Sequence, residues 1–352
     1  MRLSSIFLNP HKDALGVDFS GADIRFVQVR RRSKNRFELV HFGTVTLPPG
    51  SLERGRVANA RIFTRAVQTI INPGSAAGRI RSQAASIAVP ERDSFMKELS
   101  IPTDLSGNLG EAVRWEALQH IPFELDELNL DWETVHSDQS GNHVLVAAIP
   151  RKIAEGFTDA VEAAGITVLA LEPVSLSLIR LFAQYFRGKK AGLILHLGEL
   201  ESIAIWVEDS RPIFTASLPM TVIGINSALQ SRFQLSPAES AKARRHLGFS
   251  PTKGRGEVRS SLEEILSTTV QRLMTIEEFY QDHFPNPQKP EYILISGPGS
   301  STADVDIAIS KKIKIPVSLA QPPANLVLTR RTKGFLDVFR DFAAAYGCGI
   351  RT

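Results

Sequence analysis

The sequence predicts a mixed α/β protein of two similar lobes with a smaller inserted subdomain, and three observations predict it. A strand-loop-strand hairpin is written twice, about 180 residues apart; a glycine turn follows a later buried strand; a compact strand-helix-strand-strand block lies between the hairpins. The first hairpin runs Leu15-Gly16-Val17-Asp18-Phe19-Ser20-Gly21 into 24–29 and 37–45. The second runs Leu193-Ile194-Leu195-His196-Leu197-Gly198 into 203–207 and 212–218. Duplicated hairpins of this kind build folds that grip phosphate between two lobes. The position filled by an acid in the first copy, Asp18, is His196 in the second.

At 352 residues, with 43% hydrophobic and 22% charged residues, the chain has the composition of a soluble two-lobed body with an ample core. Its one cysteine, Cys348, excludes an internal disulfide framework and a cysteine metal cluster, and fits a reducing compartment. The most apolar window, 166–186, is interrupted by Glu172, Pro173 and Arg180, so no spanning helix is expected. The first eight residues lack a signal-peptide pattern and read as a tail, with a short membrane or partner hook as the alternative.

The net charge is +4. Its basic groups cluster at Arg30, Arg31, Arg32, Lys34 and Arg36, at Lys242, Arg244, Arg245 and His246, and at Arg330, Arg331 and Lys333. Aromatic residues are not interleaved with them and no nucleic-acid motif is present, so nucleic acid is not the expected partner. An anionic membrane surface remains a candidate, at about 1 kcal/mol per basic residue near it. The plain alternative is a solvated face. The eight histidines show no spacing suited to a metal, and none is expected.

In order, alternation predicts strands over 14–19, 24–30 and 37–46, a helix over 59–71 stopped by Asn72-Pro73-Gly74, and a strand over 86–89. The inserted block follows: a strand over 95–101, a helix with Leu109, Val113, Ala117 and Ile121 on one stripe, and strands 131–137 and 143–149 joined by a hairpin turn. A helix with Ile153, Phe157 and Val161 on its apolar face ends at Gly165; a strand over 166–171 and a helix over 175–186 lead to the second hairpin. Ser236-Pro237-Ala238-Glu239 and Ser260-Ser261-Leu262-Glu263 read as capping boxes, the second opening a long helix. The apolar stripe of that helix is expected to be lobe core, with a partner groove as the alternative. Residues 251–259 read as a mobile basic loop, 292–295 as a buried strand before Ser296-Gly297-Pro298-Gly299-Ser300, and 334–345 as the last helix. Trp115, Trp132 and Trp206 are expected in core or half-buried positions.

Three strand-ending loops, at Asp18, His196 and Gly297, thus recur in the order a nucleotide clamp requires: two offer backbone N–H groups to phosphate and the third lets backbone approach adenosine. With Val89-Pro90-Glu91-Arg92-Asp93, Ala112-Val113-Arg114-Trp115-Glu116-Ala117 and His120-Ile121-Pro122-Phe123-Glu124-Leu125-Asp126-Glu127 before Asp131, the chain resembles the PilM family of type IV pilus assembly proteins. The segment from Arg114 to Asp131 carries most of the resemblance, which spans most of 12–350 and weakens between about 210 and 260.

The resemblance implies a two-lobed actin-like fold (ASKHA, ribonuclease H-like; FtsA-like) with an inserted strand-helix-strand-strand (SHS2) subdomain. Its implied divisions are a tail over 1–12, a first lobe (1A) over 13–85, the SHS2 subdomain (1C) over 86–150, the return of the first lobe and start of the second (2A) over 151–218, a helical basic subdomain (2B) over 219–290, and closure of the second lobe over 291–352. It also implies a cytoplasmic protein of the pilus inner-membrane platform that binds ATP, with Mg²⁺ accompanying it, between the lobes. The implied partner is PilN, a single-pass membrane protein whose N-terminal peptide the family captures beside the inserted subdomain; the groove residues are not assigned by the resemblance.

Carried over position by position, the nucleotide residues are Gly16, Asp18, Ser20 and Gly21, then His196, Gly198 and Ser202, then Gly297 and Gly299. The loops depart from the family pattern. Ala22 and Asp23 stand where the first loop has small hydroxyl residues, Glu199, Leu200 and Glu201 follow Gly198, and Pro298 removes one backbone donor from the third loop. A carboxylate about 4 Å from a phosphate costs roughly 4 kcal/mol at an effective dielectric near 20. Glu199 and Glu201 share a side if the segment is extended, so both argue against tight ATP binding. His196 reads as a hydrogen-bonded replacement on a buried strand end, or as a proton-transfer base. No catalytic residue is assigned. The leading expectation is a non-enzymatic scaffold, a pseudo-ATPase; the alternatives are an active actin-fold ATPase or small-molecule kinase and a type II secretion platform protein of the GspL kind.

Overall fold

The computed structural model describes residues 13–71, 80, 82–92, 94–102, 108–121, 125–139, 141–188, 191–284 and 286–351. The expected N-terminal tail, the Asn72-Pro73-Gly74 stop and the Pro122-Phe123-Glu124 turn lie outside these residues. The chain begins with β1 (Asp13–Asp18), β2 (Asp23–Ser33) and β3 (Arg36–Thr46), a small ribbon of β4 (Leu52–Glu53) and β5 (Arg56–Val57), α1 (Ala60–Ile71) and β6 (Ala84–Val89). Next come β7 (Phe95–Pro102), α2 (Leu109–Leu118), β8 (Leu128–Asp138) and β9 (Gly141–Pro150), then α3 (Arg151–Ala163), β10 (Thr167–Pro173) and α4 (Val174–Phe182). The second half runs β11 (Ala191–Leu197), β12 (Ser202–Glu208), β13 (Arg211–Leu218), α5 (Val222–Phe233), α6 (Pro237–His246), α7 (Glu257–Ser261) and α8 (Glu263–His283). It ends with β14 (Ile293–Ser296), α9 (Val305–Ile313), β15 (Val317–Leu319), β16 (Leu326–Leu328), α10 (Phe335–Val338) and α11 (Ala343–Gly349).

The repeated hairpin of the sequence is a repeated sheet in the structure. One sheet is ordered β10-β6-β1-β2-β3-β16 and the other β15-β14-β11-β12-β13-β7-β9-β8. In each, the first three strands named pair in parallel and the hairpin continues antiparallel. The order β10-β6-β1-β2-β3 is therefore the same as β15-β14-β11-β12-β13. The inner strands are buried on both faces, which is why β6 and β11 read as near-continuous apolar runs rather than alternating ones. Between the sheets, α4 and α11 share one core with Val27, Val29, Ile194, Ile203 and Ile205.

Close packing of α11 accounts for Gly16. A Cβ there would sit 2.0 Å from the carbonyl oxygen of Ala345 and 2.4 Å from the amide nitrogen of Gly349. The glycine lets helix backbone lie on strand backbone.

The segment 95–150 has its own small core of Leu99, Ile101, Val113, Ala117, Ile121, Leu128, Val144, Val146 and Ala148. Its strands are not a separate sheet: β7 pairs with β13 through Lys97 and Phe214 and extends the second lobe's sheet.

Several local expectations change. The Ser236 box forms, with Glu239 N–H donating to Ser236 Oγ and Ser236 N–H to Glu239 Oε2. The Ser260 box does not, because α7 already holds Ser260 in a helical turn, where its hydroxyl donates to the Gly256 carbonyl. Residues 251–259, read as a mobile basic loop, contain a short 3-10 turn at Lys253–Gly256 and the start of α7. The last helix is broken into α10, a 3-10 turn at Phe339–Phe342, and α11. Trp115 is 71% exposed, since Val113 and Ala117 take the buried face of α2. Trp206 is fully buried, its ring 4.2 Å from that of Tyr280 on α8, whose apolar stripe is lobe core as expected.

Candidate functional site: a cleft held shut by its own carboxylates

The three loops meet where the sheets face each other. Loop one follows β1: Asp18 is buried, its carboxylate accepts the Ser20 N–H at 2.8 Å, and its cross-strand partner is Arg25. Burial raises the Asp18 carboxyl, against the pull of the Arg25 guanidinium. Loop two follows β11. Gly198 N–H donates to Ser202 Oγ, whose hydroxyl donates to the Met220 carbonyl beyond β13, so the retained hydroxyl is already spent on backbone of its own lobe. The carbonyls of Gly198 and Glu199 accept the first N–H groups of α5. Loop three follows β14. Gly297 has φ +85°, donates its N–H to the Arg340 carbonyl, and with Gly299 lies against Leu197 at the end of β11, where a Cβ on either would fall within 2.6 Å of Leu197.

The two carboxylates of loop two cross to the first lobe. Glu199 Oε2 accepts the Ala22 N–H at 2.8 Å and Oε1 pairs with Arg25 Nη2. Both side chains are largely buried, 8% exposed for Arg25 and 16% for Glu199. Gly21 makes room for the pair: a Cβ would lie 2.7 Å from Arg25 Nη1 and 2.8 Å from Glu199 Oε2. Glu201 accepts the backbone N–H groups of Glu91 and Arg92. The Glu91 carboxylate in turn accepts the N–H and hydroxyl of Ser175 in the first turn of α4, where a negative group is favoured. Glu199 and Glu201 do share a side, and what they face is backbone N–H and a guanidinium of the opposite lobe. A carboxylate thus occupies the donors that a phosphate would use in a clamp of this kind.

His196 is buried, and burial, then Arg25, lowers its pKa to about 3. A ring so weakly basic stays neutral at ordinary pH and makes a poor proton acceptor. Its Nδ1 has no hydrogen-bond partner among the described residues, so the expected hydrogen-bonded replacement is not what this nitrogen shows.

Residues that sequence patterns missed complete the cleft. Arg244 of α6, nearly fully buried, donates to the Pro298 carbonyl and to Ser301 and Thr302 of loop three. Arg340 donates to Ser300 Oγ. The Asp341 carboxyl is raised by burial and opposed by Arg25, Arg244, Arg245 and Arg340. Arg25 alone had a local signal, its place across the hairpin from Asp18. The others meet partners 40 (Arg340 and Ser300) to 316 (Asp341 and Arg25) positions away and converge only once both sheets are built.

One consequence is a pH dependence. Burial raises Glu201 to about 7 from the ordinary 4.5. A carboxyl raised in the fold stabilises below its unfolded value and loses that contribution as pH rises through its folded value, here from about 4.5 to about 7. Glu201→Gln is expected to flatten stability over that window, seen in urea midpoints measured at about pH 5 and about pH 7.5. An unchanged pH slope would refute the assignment to Glu201.

The chain matches the family model described as type IV pilus assembly protein PilM over residues 16–352. It belongs to the PilM family. A solved PilM-PilN type IV pilus biogenesis complex contains a chain similar in fold to this PilM-family protein, with TM-score 0.81 at 20% identity, covering 97% of this chain and 99% of that one. EutJ, an ethanolamine utilization protein of Carboxydothermus hydrogenoformans, gives 0.56 at 11% identity over 100% and 94%. MreB5 of Spiroplasma citri, solved bound to ADP, gives 0.54 at 9% over 96% and 95%. The actin-like ATPase fold that the resemblance implied is the fold of this PilM-family chain. Among the described residues no helix is long and apolar enough to cross a membrane.

Proposed function

We propose that this chain is the cytoplasmic actin-like scaffold of a type IV pilus inner-membrane platform, that it holds the N-terminal tail of a PilN-like membrane protein, and that its nucleotide cleft is closed by its own side chains. Membership of the PilM family over 16–352 supports the platform role, and the likeness to the chain of the PilM-PilN complex supports the partner class. The divisions 13–85, 86–150, 151–218, 219–290 and 291–352 are proposed as the working subdomains. Attachment to the inner membrane then comes through the partner.

The observation that carries the non-enzymatic part is the Glu199 carboxylate on Ala22 N–H and Arg25. For ATP to use Gly16, Asp18, Ser20, Gly21, His196, Gly198, Ser202, Gly297 and Gly299 as a clamp, Glu199 would have to leave and Arg25 would have to change partner. Gly16 is covered by α11, and the Ser202 hydroxyl is committed to the Gly198 N–H and the Met220 carbonyl. Mg²⁺ has no part in the scaffold role.

A pull-down with a peptide of the first cytoplasmic residues of a PilN-like membrane protein from the same genome tests docking. Retention of the chain at micromolar peptide, equally with and without Mg-ATP, is the expected result. Absence of retention under both conditions would overturn the docking reading.

A further inference from the structure

Sequence spacing offers no metal set, yet β-pairing builds one far from the cleft. His136 of β8 and His143 of β9 are directly opposed across the hairpin, their rings stacked with centroids 3.9 Å apart and planes 14° from parallel. Glu98 of the neighbouring β7 lies beside them, its Oε1 3.4 Å from His143 Nδ1. One ligand atom from each of the three residues falls within 4.8 Å of the other two. We propose that Glu98, His136 and His143 form a binding site for a Zn²⁺-class divalent ion at the seam between the inserted segment and the second lobe.

The chemistry of the surroundings fits this donor set. Arg211 of β13 points one guanidinium nitrogen into the middle of it, with Nη1 2.9 Å from Glu98 Oε1, 3.1 Å from Oε2 and 2.8 Å from His136 Nδ1. Three acceptors therefore already converge on a single cationic group. On the far side of the rings, Asp138 Oδ2 lies 3.2 Å from His143 Nε2 and 3.7 Å from His136 Nε2. Asp138 accepts from His143 Nε2 in the tautomer that leaves the Nδ1 lone pair of that ring to a metal, while Arg211 Nη1 donates to His136 Nδ1. That is the carboxylate-histidine-metal arrangement that fixes tautomer and ligand direction.

Two imidazoles and one carboxylate are a Zn²⁺ donor set that leaves a fourth position for water. The Arg211 side chain is 27% exposed and has open solvent to swing into. A small tilt of the two stacked rings then turns both Nδ1 atoms onto one ion. Binding would exchange a tether between β13 and the inserted segment for a metal centre held by that segment alone.

The test is calorimetric titration of the chelator-treated full chain with ZnCl₂, with MgCl₂ as the control. One zinc equivalent and no magnesium binding is expected. His136→Ala and His143→Ala should each remove that equivalent, together with the ligand-field bands of the Co²⁺-loaded protein. Asp138→Asn, at a half-exposed position, should keep the stoichiometry and bind about 10–100-fold more weakly. Arg211→Ala should bind more tightly than the unaltered chain. Should a histidine variant lose its fold, Asp138→Asn and Arg211→Ala still decide the matter. No stoichiometric zinc in the unaltered chain, unchanged binding in Asp138→Asn, or unchanged affinity in Arg211→Ala would overturn the site.

Discussion

Glu199→Gln is expected to destabilise the fold by about 3–5 kcal/mol, because it leaves the Arg25 guanidinium buried without its counter-charge. The glutamine oxygen can still accept the Ala22 N–H, so the loss falls on the ion pair rather than the hydrogen bond. Part of it is offset locally. Glu199 is one of the groups that raise the Asp18 carboxyl, and without it Asp18 ionises more readily beside Arg25. The effect should therefore lie toward the lower end of the range. Replacing both partners with methionine should recover most of the loss, since a buried pair exchanged for apolar side chains of similar volume is often neutral. Urea unfolding of Glu199→Met, Arg25→Met and the double variant gives the coupling directly. Additive losses would mean that Glu199 and Arg25 do not act as a pair.

Glu172→Gln is expected to cost a similar 3–5 kcal/mol, roughly, at a second buried ion pair two strands from Asp18. Glu172 is 2% exposed at the end of β10; its carboxylate takes Arg180 Nη1 at 2.6 Å and Nη2 at 2.7 Å, and it also pairs with Arg351 past the end of α11. It thereby fixes α4 and the C-terminal turn to the first sheet. Burial works against its ionisation, but Arg180 and then Arg351 outweigh burial and leave its pKa below the ordinary 4.5. The sign is opposite to that of Glu201: this contribution is present above pH 4.5 and is lost as pH falls through the lowered folded value. The glutamine variant should lose stability at neutral pH and approach the unaltered chain in acid. A loss of equal size at every pH would contradict the ionised-pair explanation.

Much of the architecture was legible because its signals are local. The alternation of 24–30 and 37–46, the Gly165 stop and the Ser236 box each depend on neighbours in sequence, and the repeated hairpin exposed the duplication of the sheet. The chemistry of the cleft was legible only in part. Glu199 and Glu201 could be placed on one side, yet their partners Ala22, Arg25, Glu91 and Arg92 lie about 110 to 177 positions earlier. Sequence shows a like charge added to a phosphate loop; the fold shows that charge already neutralised across the lobes. Gly16 illustrates the same limit, since its glycine answers to α11, more than 300 positions later. His136 and His143 look unrelated by spacing and become neighbours because a hairpin folds one onto the other.

Calorimetric titration of the full chain with Mg-ATP tests the closed cleft most directly. A carboxylate seated on the donors of loop one predicts no saturable heat up to about 1 mM nucleotide, a binding free energy weaker than about 4 kcal/mol. Saturable binding at micromolar concentration that is lost in Asp18→Ala would contradict it and return the cleft to service as a nucleotide site.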